Sequence, residues 1–160
     1  MKTLSGQSIV ETVIATAIIS IAVVAALSLM NYTQKQANYA KTLNLAVDFN
    51  TQASDWLRQE KTTLGWATIA GKIATDAGAG GSVTYCLNVL PTDASGGFTA
   101  LTSGACGTGA YISGTLFVRE VSFTSNTISS GSTEATVSVS WTDSNTTRQN
   151  TTTLELSQWN

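Results

Sequence analysis

The sequence predicts an α+β protein: a long N-terminal α-helix, membrane-spanning in its first half and amphipathic in its second, packed on a C-terminal antiparallel β-sheet of about four strands. Three observations predict it. Ile9 to Met30 is mostly Ile, Val, Ala and Leu, and no charged residue occurs from Thr12 to Gln34. Neither Pro nor Gly interrupts Gln7 to Leu64. The remainder is rich in Thr, Ser, Gly and Asn and contains four segments of period-two alternation, the mark of strands with one buried and one wet face.

Taken in order, Ile9 to Met30 supplies the roughly 20 apolar residues that a helix needs to cross a bilayer core of about 30 Å. A secretory signal peptide would be shorter, although Ala25-Ala26 offers small residues for cleavage. A plain signal anchor fits the length, but Lys2 and Lys35 leave its orientation ambiguous. Glu11 fits neither reading, because a carboxylate is costly at the head of such a run. Ser8-Ile9-Val10-Glu11 also matches the S-x-x-E capping box, in which the Glu reaches back to the Ser backbone N–H.

Beyond Met30 the chain becomes polar but keeps helical spacing, with Tyr39, Leu43, Ala46, Val47, Phe49, Ala53, Trp56 and Leu57 at three- and four-residue steps. One helix from about Ser8 to Glu60 would be roughly 80 Å long at about 1.5 Å per residue. Gly65 should end it. Trp66, Ile69 and Ile73 suggest a short second helix over Ala67 to Ala74, and Ala77 to Gly81 reads as a connector. Strands are expected over Ser82 to Leu90, with Val83, Tyr85, Leu87 and Val89 on one side, and over Gly114 to Thr124, with Leu116, Phe117, Val118, Val121 and Phe123. Two more should cover Glu134 to Thr142 and Thr147 to Trp159. Short links at Asn126 to Thr133 and Asp143 to Thr146 suggest an antiparallel meander whose apolar face meets the helix.

Composition excludes several classes of function. The net charge of -2, from 8 basic and 10 acidic residues, leaves no basic cluster for direct nucleic-acid binding. With no His, Ser-His and Cys-His nucleophile pairs and His-based metal sites are excluded. Glu120, Glu134 and Glu155 read as solvated strand faces rather than a catalytic pair. Asp93 and Asp143 do not cluster enough ligands for calcium. No enzyme, cofactor or metal is expected. Tyr111 and Trp159 read as core or edge packing. Asn145-Thr146-Thr147 and Asn150-Thr151-Thr152 match a glycosylation pattern that is common by chance in Thr-rich chains. Cys86 and Cys106 form a disulfide if the domain lies outside the cytoplasm, and are buried thiols otherwise.

Gly6-Gln7-Ser8-Ile9-Val10-Glu11-Thr12 followed by an apolar helix resembles the prepilin signal of type IV pilins and pseudopilins. The resemblance implies cleavage after Gly6 by a prepilin peptidase, with Met1 to Gly6 as leader and Gln7 as an N-methylated first residue. Phe or Met is commoner there than Gln, and the kinking Pro of many major pilins is absent. Glu11 would become the fifth residue of the mature chain and pair with the new terminal amine of Gln7, in its own or a neighbouring subunit, setting assembly register. The implied divisions are leader 1–6, filament-core helix 7–30, amphipathic helix 31–62 and sheet domain 63–160. Leu45 to Trp66 and the tail from Val139 to Trp159 are similar to minor pilins of the PilV and type II secretion pseudopilin sort. Implied partners are sibling pilins, the peptidase, an inner-membrane platform protein, an assembly ATPase and, before assembly, membrane lipid. The implied location is the cytoplasmic membrane, then a cell-surface filament. The competing reading is a membrane-anchored extracytoplasmic binding domain that never polymerises.

Overall fold

Helix α1 runs unbroken over Gln7–Leu64 in the computed structural model, which describes residues 7–78, 81–124, 131–143 and 145–158 without the side chains of Gln7, Ser8 and Asp93. Gly65 ends it. Its φ of 79° lies in the left-handed region open to glycine, while its N–H still bonds the Lys61 carbonyl at 3.0 Å. Helix α2, Trp66–Ala77, starts directly afterwards and buries Ile69, Ala70, Ile73 and Ala77 at three- and four-residue spacing.

The chain divides into two compact units between Thr42 and Leu43. In the first, every described side chain from Ile9 to Asn38 is exposed. An 18-residue window here reaches a mean hydropathy of 2.6, so by length and composition this segment can cross a membrane once. Its hydroxyls are satisfied within the helix: Thr16 donates to the Val13 carbonyl, Ser20 to Thr16 and Ser28 to Val24. Polar residues thus add little cost to an otherwise apolar surface.

The second unit holds the sheet, four antiparallel strands in sequential order: β1 Ser82–Cys86, β2 Val118–Thr124, β3 Ser132–Asp143 and β4 Thr146–Ser157. Register fixes the faces, since directly paired residues share one side. Val83 faces Phe123, Tyr85 faces Val121, Val121 faces Val137, and Ala135 faces Leu154. These residues, with Leu57 and Ala53 of α1 and Ile69 and Ile73 of α2, form the core. Fully burying a Leu, Ile or Phe side chain stabilises by about 1.5–3 kcal/mol, so this face anchors the domain.

Three expectations are corrected. First, the buried stripe of α1 is Ala46, Asn50, Ala53, Ser54, Leu57 and Glu60, and Val47 is exposed. Asn50, Ser54 and Glu60 sit inside because each finds a specific partner. Asn50 Nδ2 donates to the Asn150 carbonyl at 3.0 Å, Ser54 donates to the Asn50 carbonyl at 2.8 Å, and Glu60 takes the Phe98 N–H. Second, β1 stops at Cys86 and Val89 is 75% exposed. After Leu87, the side chain of Asn88 replaces the ladder: its Oδ1 accepts the Arg119 N–H at 2.7 Å and its Nδ2 donates to the Ala110 carbonyl at 2.8 Å. Third, β2 starts at Val118, and Leu116 lies just after a turn closed by Thr115 N–H to the Ile112 carbonyl. The inward positions are therefore Phe117, Arg119, Val121 and Phe123, with Val118 on the other face. The predicted link at Asn126 to Thr133 falls largely outside the described residues, and so does Trp159.

Candidate functional site

Glu11 sits in the first unit on a helical face shared with Val10, Ile14, Ala15 and Ile18, which line an open groove. Among the described residues, no hydrogen bond or ion pair reaches its carboxylate. Gly6 lies outside the described residues. Gln7 has helical backbone but no described side chain, so the pairing of Glu11 with the Gln7 amine falls outside them too. What this arrangement offers is a carboxylate at one end of an apolar, uncovered helix.

In the second unit, Cys86 and Cys106 form a disulfide, with Cα atoms 4.7 Å apart. Crosslinking residues 20 apart stabilises by roughly 3 kcal/mol in the chain-entropy account. The enclosed loop is also held from outside. Glu120, expected on a solvated face, is half-buried and its Oε1 accepts the Cys106 N–H at 2.7 Å. Trp56 Nε1 donates to the Pro91 carbonyl at 3.0 Å, and Glu60 Oε2 accepts the Phe98 N–H at 2.6 Å. The Glu60 carboxylate thereby caps the short 3-10 turn Gly97–Ala100.

Gly97 is required at that turn. Its φ is +52°, and a Cβ there would lie 2.9 Å from the Glu60 carboxyl carbon and 3.0 Å from Oε1. Gly97→Ala is expected to cost about 1–3 kcal/mol from backbone strain alone, seen as a lower urea midpoint. Gly71→Ala, at an α2 position with no atom within 4 Å of the added carbon, is expected to stabilise by about 0.5–1 kcal/mol, seen as a higher urea midpoint.

Two ionisable clusters hold the fold. Arg119 is 3% exposed. Its Nε donates to the Leu87 carbonyl at 2.8 Å and its Nη1 to the Phe49 carbonyl at 3.0 Å, which ties the loop after β1 to α1. Burial pushes its pKa down to about 10, so it stays protonated at neutral pH. Asp76 Oδ2 accepts from Lys72 Nζ at 3.0 Å and from the Tyr85 hydroxyl at 2.8 Å. The Lys72 bond first, then the Tyr85 bond, holds the Asp76 carboxyl below its ordinary 3.8. Desolvation, then the bond to Asp76, raises the Tyr85 phenol.

A carboxyl whose folded pKa is depressed binds fewer protons folded than unfolded. Its contribution is complete above the ordinary value of 3.8 and is lost as pH falls through the lower folded value. Asp76→Asn is expected to weaken the protein at pH 6 and to flatten the loss of stability below pH about 4. Urea midpoints from pH 6 to pH 2, compared between variant and parent, test this; parallel curves would refute it.

Glu134 and Glu155 are exposed and directly opposite each other on β3 and β4. Among the described residues, no group of three or more acidic or Cys side chains could hold a metal ion. Asp143 pairs with Arg148 at 3.4 Å, and Tyr111 is exposed. Sequence reasoning missed Arg119, Asn50 and Glu60 as inward polar residues. The signal for Arg119 was present, because it shares parity with Val121 and Phe123. Comparison with known proteins finds no matching family, no matching curated protein and no matching solved structure.

Proposed function

We propose that this chain is a structural subunit of a type IV pilus or type II secretion pseudopilus, of the minor-pilin kind. The observation that supports it most is α1: a helix exposed at every described side chain from Ile9 to Asn38, apolar over Ile9 to Met30, with Glu11 at its head. Such a surface needs lipid or neighbouring helices around it. Copies packed side by side would cover it, and the carboxylate would then need a cation in a low-dielectric bundle. The terminal amine of a neighbour, created by cleavage after Gly6, has the right charge. Sibling subunits, a prepilin peptidase, an inner-membrane platform protein and an assembly ATPase are the partners this role needs. The disulfide fits a domain that leaves the cytoplasm.

Sequencing the mature N-terminus tests this reading. The expected result is N-methylated Gln7. Recovery of Met1 on a membrane-held protein would instead indicate an anchored domain that does not polymerise. A terminus beyond Met30 would refute both.

A further inference from the structure

We infer that Asn145 is an acceptor for N-linked oligosaccharide, while Asn150, which matches the same three-residue pattern, is not. Both asparagines are followed by Thr at the second position. The fold separates them. Asn145 lies in the link between the paired residues Asp143 and Thr146, is exposed, and has a φ of 69°, making it the one non-glycine residue with positive φ among those described. Thr146 and Thr147, which complete its pattern, are exposed as well. Asn150 sits within β4, paired with Val139, and its Oδ1 accepts from Asn50 Nδ2 at 2.5 Å. Its amide is already committed to the buried face of α1.

Access to a transferase also differs. None of the described residues from Thr142 to Gln149 is buried, so this end of the hairpin can open without disturbing the core. Presenting Asn150 would break its bonds to Asn50 and strip the β3 ladder. An acid stands two residues before Asn145, as Asp143, whereas the basic Arg148 stands at that place before Asn150. The co-reactant is a polyprenyl-diphosphate oligosaccharide. The Asn145 amide nitrogen attacks its anomeric carbon, and an N–C bond forms as the C–O bond to diphosphate breaks. The diphosphate leaves with the bonding pair, the amide gives up one proton, and nothing is oxidised or reduced.

The inference rests on export of the domain, which the proposed function requires. The full chain would be produced in a cell whose N-oligosaccharyltransferase faces the compartment receiving the domain, and recovered without reduction for mass spectrometry. The expected result is an oligosaccharide increment on the peptide containing Asn145, absent in Asn145→Gln and Thr147→Ala and present in Thr147→Ser and Asn150→Gln. Disulfide-bonded protein without the increment would overturn this inference alone, as would an increment that survives Asn145→Gln. Free thiols at Cys86 and Cys106 would overturn both the inference and the export beneath it.

Discussion

If the proposed function holds, Glu11→Ala is expected to leave the protein in the membrane and exclude it from the proposed fibre. Removing the carboxylate makes the apolar run more hydrophobic, so insertion should be equal or better. Assembly should suffer for a different reason. In the proposed bundle the terminal amine of Gln7 would be left without its partner, and breaking one half of a buried pair costs about 3–5 kcal/mol. A loss of that size at each subunit contact lowers incorporation by more than a hundredfold. Fractionation followed by immunoblotting of sheared fibres measures both quantities. Glu11→Asp, which keeps the charge but shortens the reach, should incorporate at an intermediate level. Normal incorporation of the Ala variant would remove Glu11 from assembly.

Phe98→Ala should be the most damaging single change in the sheet domain. Phe98 is fully buried, with its ring 5.5 Å from Tyr85, 5.7 Å from Phe123 and 6.4 Å from Trp56. Truncating such a ring removes its transfer energy and leaves a cavity, about 3–5 kcal/mol together. The damage should spread, because Phe98 fixes the loop to Trp56 and places its N–H on Glu60. The urea midpoint of the detergent-solubilised chain, read by tryptophan fluorescence, should fall accordingly. A Phe98→Leu variant should recover more than half of the loss, since it refills most of the volume. An unchanged midpoint in Phe98→Ala would mean that the loop does not contribute to the core.

The fold was largely legible because its signals are local and periodic. The apolar run and the missing Pro and Gly define α1. Gly65 marks its end, and the alternation Ala135, Val137, Val139, Trp141 defines β3 with its inward face. The polar core was not legible. Asn50 and Glu60 are inside because of partners 100 and 38 residues away along the chain, distances at which spacing carries no information, and Arg119 was marked by its strand parity alone. Phe98 was hidden for a related reason. It packs from a loop, so no period announces it. Strand ends were misread at Val89 and Leu116 because apolar residues continue past the point where the ladder gives way to the Asn88 side chain and the turn at Thr115. For the candidate site, the sequence names Glu11, and the fold adds that its face is uncovered.

Asn50 and Glu60 stand ten residues apart on α1, about 15 Å along its axis, and among the described residues the side chain of each bonds across to one residue of the sheet unit: Asn150 for the first and the backbone of Phe98 for the second. A purely greasy stripe would let the rod creep or roll by a fraction of a turn and still find oil to sit in. Two polar pins at different heights forbid any screw motion, since every slide or twist would strand at least one of them dry. Within the second unit, the sheet therefore holds the stretch of α1 from Leu43 to Leu64 at a single setting, like a key cut with two teeth.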